Sequence, residues 1–367
     1  MTSDRGKAQS LYMERAKISS SARFNLATSG MASLPLAALE IDANQLELTQ
    51  STEYGLEPLA QAIARRYSVA QNCVATALGT TFANYLALAA ATEPGDEILV
   101  EHPSYEPLLS TARFLALELR RFRRAPENGF AVDLEDLQRN LTSRTRLIVL
   151  CNLHNPSGAF TPDAVLNEIS VLARKHSARV LVDEVYREML FDAAPQSAFH
   201  IDPETFISTN SLTKAYGLSG LRCGWVLARP ELVRRMHQIQ DMLAGTYPAV
   251  TEQLSVRAFE RLPEISARME SQLRTNRGLL KDFLESRREL EYSWPEYGTV
   301  VFPRLKSGAV DQFCSMLRSN FETSVVPGRF FECGDRVRIG VGAATTDVRA
   351  SLAQLGKGLD SLASMRR

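Results

Sequence analysis

Four short apolar runs in this sequence each lead into side chains that can do chemistry. EILVE (97–101) is followed by His102, Pro103, Ser104 and Tyr105, and RLIVLC (146–151) by His154 and the tetrad Asn155-Pro156-Ser157-Gly158. ARVLVD (178–183) closes on Asp183, with Glu184 and Tyr186 just after it, and TFIST (205–209) runs into Ser211-Leu212-Thr213-Lys214, with Arg222 eight residues on. An aromatic ring, an amide, a carboxylate, a phenol, a hydroxyl, an amine and a guanidinium thus stand at comparable places. If the runs are neighbouring strands of one open parallel sheet, these groups meet beyond the carboxyl ends of the strands, where such sheets bind ligands. Taken singly, each has an ordinary explanation. A lysine is usually a solvated charge, Asn-Pro-Ser-Gly is a good turn, and an aspartate at a strand end is common.

The elements that must position these groups follow from periodicity. Apolar residues recur at helical spacing over Glu57–Tyr67, Ala83–Ala91, Pro162–Lys175 and Pro230–Met242. Between them the β-branched runs, with CGWVLA (223–228) as a fifth, read as buried strands. Strands alternating with helices predict right-handed crossovers and a largely parallel sheet covered on both faces. After about residue 265 the pattern changes to a long charged helix through Arg288, strand-like pieces around Thr299–Leu305 and Arg336–Val341, and a closing helix from Asp347. We expect an α/β large domain over 36–265. A smaller α+β domain is expected from 1–35 and 266–367, with Leu11, Tyr12 and Met13 opening a short helix.

Bulk properties narrow the function. The 42 basic and 42 acidic residues cancel and form no long run of one sign, which argues against a nucleic-acid or membrane-surface partner and for a small molecule. Five scattered cysteines, odd in number and without a C-x-x-C pair, predict free thiols in a reducing compartment, with no disulfide framework and no metal site. No apolar stretch is long enough to span a membrane, and the charged N-terminus is unlike a secretory signal. The expected location is cytoplasmic.

In chain order, Tyr54-Gly55, Gly79-Thr80-Thr81, Pro103-Ser104-Tyr105, Asn155-Pro156-Ser157-Gly158, Asp183-Glu184-Val185-Tyr186, Ser211-Leu212-Thr213-Lys214, Arg222 and Val337-Arg338-Ile339 resemble the class I/II aminotransferases. These belong to fold type I of the enzymes dependent on pyridoxal 5′-phosphate (PLP), the aspartate and aromatic aminotransferase superfamily. The resemblance covers nearly the whole chain. It implies that Lys214 forms the Schiff base with PLP and then moves the substrate's Cα proton. It implies further that Asp183 pairs with the pyridinium nitrogen, that Tyr186 and Asn155 reach the phenolic oxygen, and that Tyr105 stacks on the ring. The phosphate would be held by Thr80 and Thr81 at a helix start near Phe82, by Ser211 and Arg222, and by Tyr54 of a second subunit in a homodimer with shared sites. Arg338, inside an apolar stretch, would fork the substrate carboxylate together with Asn155, and Gly30 in Leu26–Met31 would lie in the loop closing over the substrate.

The implied reaction is transfer of an amino group from an L-amino acid to a 2-oxo acid. The same carbanion chemistry would serve a C–S β-lyase, a decarboxylase, a racemase or an oxidative reaction, and a non-catalytic PLP-binding sensor is a third reading. Phe82 and Asn84 depart from the small residues the family commonly has there, which predicts a differently packed phosphate-loop helix. His154 is expected to act from behind, orienting its neighbours. No second arginine marks a dicarboxylate specialist.

Overall fold

The computed structural model describes residues 6–19, 21–49, 54–192 and 195–364. A two-residue strand, β1 (Phe24–Asn25), precedes the strands of the main sheet: β2 (Val74–Leu78), β3 (Glu97–His102), β4 (Glu118–Arg123), β5 (Thr145–Cys151), β6 (Arg179–Asp183), β7 (Phe206–Ser211) and β8 (Cys223–Leu227). The seven-stranded sheet has the order β2-β8-β7-β6-β5-β3-β4. All neighbours in it pair parallel except β8, which runs antiparallel to both β7 and β2. The β7–β8 connection is therefore a short return rather than a crossover helix, and Lys214 lies in it.

Alternation along the central strands sorts their side chains into two separate cores. On one face, Ile98, Val100, Leu147, Val149, Leu181 and Ile207 pack with helices Gly79–Ala91, Glu106–Phe114 and Pro230–Leu243. On the other, Leu99, Ile148, Leu150, Val180 and Val182 meet Leu137 and the Leu166, Ile169 and Ala173 stripe of helix Asp163–Lys175. Burial on both faces is why these strands read as continuous apolar runs. Each such side chain contributes about 1.5–3 kcal/mol by leaving water. Strand β4, ELRRFR, has mainly exposed or half-buried residues, as an edge strand can, and gave no apolar run to read.

A third core gathers Leu26, Val301, Leu305, Phe313, Leu317, Ile339 and Leu355. Strand β1 pairs parallel with Thr323–Ser324, and Gly340 donates its N–H to Leu26, so the N-terminal segment is stitched to the C-terminal region. Helix Leu262–Glu285 takes part in two cores. Its Leu262, Ile265, Met269 and Leu273 pack near Tyr67 and Trp225, while Leu280 and Leu284 pack among the C-terminal elements. Among the described residues, no helix is long and apolar enough to cross a membrane.

Candidate active site

A cavity of about 270 Å³ opens at the carboxyl ends of β5, β6 and β7. Its wall brings together Thr80, Thr81, Tyr105, Asn155, Asp183, Tyr186, Lys214 and Arg222. The reason is topological. Strands β2, β3, β5, β6 and β7 point the same way, so the residue following each run arrives at one edge of the sheet.

One end of the cavity suits an anion. Helix Gly79–Ala91 begins at Gly79, three residues before the expected start near Phe82, so Thr80 and Thr81 belong to its first turn, where N–H groups are unpaired. Gly79 has φ +77°, and a Cβ there would stand 2.3 Å from Nη2 of Arg222, so only glycine lets the guanidinium lie against the helix start. Arg222 donates to the carbonyl of Leu78 at 3.0 Å and is an exposed residue. Ser211 stands behind this end rather than in the wall: it is fully buried, accepting from Thr80 Oγ1 at 2.8 Å and from the N–H of Thr213 at 3.2 Å.

Asp183 is buried at the cavity floor, where Oδ2 accepts from Asn84 Nδ2 at 2.8 Å and Oδ1 from the N–H of Val185 at 3.1 Å. Burial pushes its carboxyl up to about 6 against those two hydrogen bonds, a condition that a cationic partner would relieve. Lys214 donates to Ser29 Oγ at 3.2 Å, and Tyr186 donates to the same oxygen at 2.7 Å. Burial, and next the charge of Arg338, pull the amine down to about 8. Burial also raises the Tyr186 phenol above its ordinary range, keeping it a neutral donor.

Arg338 lies one layer behind the wall and is fully buried. It donates to Asn155 Oδ1 at 3.0 Å, to the hydroxyl of Tyr12 at 3.0 Å and to the carbonyl of Ala27 at 2.9 Å, while its Nε has no hydrogen-bond partner among the described residues. Tyr12 belongs to helix Leu11–Ser19 and meets Tyr105 edge to face at 5.1 Å. Gly30 is outside the wall but packs on the Lys214 loop, where a Cβ would come 3.5 Å from Lys214 Cδ; its neighbours Thr28 and Ser29 are the ones that line the cavity.

Tyr54 is not brought here. It stacks flat on His237 at 4.2 Å, partly exposed, beside a different concavity. His154 is also outside the wall: fully buried, its ring bridges Ser157 Oγ at 2.6 Å and the carbonyl of Pro103 at 2.9 Å, and burial holds it neutral, well below the usual histidine range. Glu184 accepts from Ser197 and from the N–H of Ala198 and stays in the scaffold.

Sequence reasoning missed Tyr12 and Arg15 as cavity residues, carried Ser29 only as part of the Leu26–Met31 loop, and took Asn84 only as a packing departure. The signal for Asn84 was available, since an amide inside an apolar helix needs a buried partner. None existed for the contact of Tyr12 with Arg338, which lies far along the chain.

A family model described as aminotransferase class I and II matches residues 29–353. The chain belongs to this family. Among the relatives of this aminotransferase-family chain, capreomycidine synthase of Streptomyces vinaceus is 32% identical over 360 residues, covering 97% of this chain and 92% of that one. Arginine–pyruvate transaminase of Pseudomonas aeruginosa is 28% identical over 310 residues, 78% of this chain and 76% of that one. The solved PLP-dependent aminotransferase of Streptococcus suis superposes with a TM-score of 0.89 at 25% identity, covering 95% of this chain and 96% of the other. The chain is accordingly a PLP-dependent enzyme of the aminotransferase class. The residues present fit that cofactor: a cationic helix start with Arg222 for a phosphate, a buried carboxylate in want of a cation, and an amine between them.

Proposed function

We propose that this enzyme transfers an amino group from an L-amino acid to a 2-oxo acid, with Lys214 as covalent anchor of PLP and as the base that moves the Cα proton. When bound, PLP supplies an aldehyde for amine capture and an electron-poor ring that takes up the electrons left at Cα. Asp183 would hold the ring nitrogen protonated. Tyr186 and Asn155 would orient the cofactor's phenolic oxygen, Tyr105 would cover the ring, and Thr80, Thr81 and Arg222 would hold the phosphate, with Ser211 fixing Thr80. Lys214 Nζ, lowered to about 8, gives up its proton far more readily than an ordinary lysine, as a base must. Arg338 would receive the substrate α-carboxylate in exchange for the Tyr12 hydroxyl, and Gly30 would lie against the Lys214 loop beside Ser29. The observation that carries this reading is the meeting of Lys214, Asp183 and Arg222 in one cavity with buried Arg338 directly behind Asn155.

The test is to mix PLP-loaded protein with a panel of L-amino acids and follow the cofactor's absorption. Loss of the bound band, its return on adding a 2-oxo acid, and a matching keto-acid product are expected. If no amino acid in a broad panel changes the band, transamination is wrong.

The similarity to capreomycidine synthase favours a second reading, in which the same Cα proton removal leads to a product other than the keto acid. Turnover without any 2-oxo acid would mark it, and release of pyruvate and ammonia would mark a C–S β-lyase.

We further infer a homodimer in which Tyr54 reaches the partner's phosphate site. Support comes from Tyr54, Met242 and Leu243, large exposed side chains, Tyr54 being stacked on His237 of the helix Pro230–Leu243 that carries the other two. The inferred division into 36–265 and 1–35 with 266–367 places its second boundary inside helix Leu262–Glu285, which packs in both cores. A cytoplasmic site of action accords with five cysteines that are all free.

A further inference from the structure

Helix Gly79–Ala91 is built from small and apolar residues, with Ala83, Leu86, Ala87, Leu88 and Ala90 buried in the core beneath the sheet. Asn84 interrupts that surface while being only 4% exposed. Asparagine is a weak helix former, and a buried primary amide costs free energy unless its donors and acceptor are met. Here they are met by two strands at once. Asn84 Nδ2 donates to Asp183 Oδ2 at 2.8 Å, and Asn84 Oδ1 accepts from Thr209 Oγ1 at 2.5 Å. Asp183 and Thr209 are direct cross-strand partners in the parallel β6–β7 pair, so the helix closes a small triangle over them.

The orientation of the amide is determined by this triangle. Turned over, it would set its oxygen against the Asp183 carboxylate and lose the hydrogen bond that the fully buried Thr209 hydroxyl donates to it. The Val185 N–H occupies Asp183 Oδ1 from the other side. Asp183 is therefore held as an acceptor by two donors, with its free lone pairs left for whatever enters the cavity.

We propose that Asn84, oriented by Thr209, is a positioning residue that keeps Asp183 ionised and aimed at the cofactor's ring nitrogen, and so sets how firmly that nitrogen is bound. The proposal rests on the assignment of Asp183 to the ring nitrogen made above. The direction of the Asp183 carboxyl supports it: burial drives it up, and the hydrogen bond from Asn84 is the first influence that opposes the rise. It also explains the departure at this position. An amide is tolerated in an apolar helix because it stands under a carboxylate that burial would otherwise neutralise.

The experiment compares binding of PLP with binding of its 1-deaza analogue, in which CH replaces the ring nitrogen, by fluorescence titration of the full-length protein. Asn84→Leu is expected to weaken PLP about tenfold and the analogue by less than about twofold, because only PLP uses the Asp183 contact. Thr209→Val should show the same selectivity more weakly, and Thr209→Ser, which keeps the hydroxyl, should restore it; this pair serves if the Asn84 variant does not fold. Equal weakening of both compounds, or none, by the folded variants overturns the proposal. Asp183→Ala separates the two possible failures. If it weakens PLP selectively while the Asn84 and Thr209 variants do not, the proposal alone falls; if it weakens both compounds equally, the ring-nitrogen assignment falls and the proposal with it.

Discussion

Replacing Lys214 by methionine is expected to make the cofactor-free protein more stable at pH 7, although it removes the central residue of the site. Burial and the nearby Arg338 lower the amine from 10.5 to about 8 in the folded chain. Below pH 8 both folded and unfolded chains carry the proton, and the folded state bears the whole cost of a confined charge. Between about 8 and 10.5 the unfolded chain keeps a proton that the folded one has released, so wild-type stability rises with pH across that window. A displacement of this size corresponds to about 3 kcal/mol at most, and to about 2 kcal/mol once the water of the half-open cavity is allowed for. Methionine keeps the unbranched stem and forfeits only the hydrogen bond to Ser29 Oγ, about 1 kcal/mol or less, while Tyr186 still donates to that oxygen. Urea unfolding of both proteins without cofactor, at equal protein concentration, should show the variant about 1–2 kcal/mol ahead at pH 7 and near parity at pH 10. A difference that stays flat between the two pH values would show that the amine is hydrated as in the unfolded chain, and the argument for a lysine poised as a base would fail. With PLP present the order should reverse, because only wild type can gain a covalent cofactor.

Arg338→Gln should lower kcat/KM for amino acids about 10- to 100-fold while leaving the absorption of bound PLP unchanged; a changed spectrum with unchanged KM would move Arg338 out of the substrate site. Gly79→Ala, at φ +77° and with its new Cβ 2.3 Å from Arg222 Nη2, should displace the guanidinium and cut PLP affinity at least about tenfold, measured by equilibrium dialysis. Glu184, whose carboxyl burial lifts from 4.5 to about 7, favours the folded state least when ionised, so wild-type stability should fall as pH rises through that window. Glu184→Gln should then gain about 2–3 kcal/mol on wild type between pH 4.5 and pH 8 in urea unfolding; a constant offset would refute the shift.

Much of the site could be read before any coordinate was known because, in a parallel sheet, chemistry follows directly upon an apolar run. Tyr105, Asn155, Asp183 and Lys214 each sit within a few residues of a strand end, and all four reach the same cavity. Strand β8 was legible as a strand but not as the one antiparallel member, since direction is set by pairing and not by composition. Ser211 was expected to hold the phosphate, yet the hydroxyl at the wall belongs to Thr80, and that order depends on which of two bonded hydroxyls faces inward. His154 was expected to act from behind its neighbours, and it does stand outside the cavity wall. Full burial and two satisfied ring nitrogens make it a brace between Pro103 and Ser157.

By itself, then, the sequence determined the alternation of strands and helices, the family and the chemical groups available, because each of these is written in local pattern and residue type. Tertiary structure alone decided which distant residues complete those groups. Asn84 meets Asp183 across 99 residues, Ser29 meets Lys214 across 185, and Tyr12 meets Arg338 across 326. Such contacts leave no periodic trace, since they arise only when a helix start, the N-terminal segment and the C-terminal strands are packed over one edge of the sheet. Packing at that edge also confines Asp183 and Lys214, and the resulting loss of water moves their proton affinities toward each other.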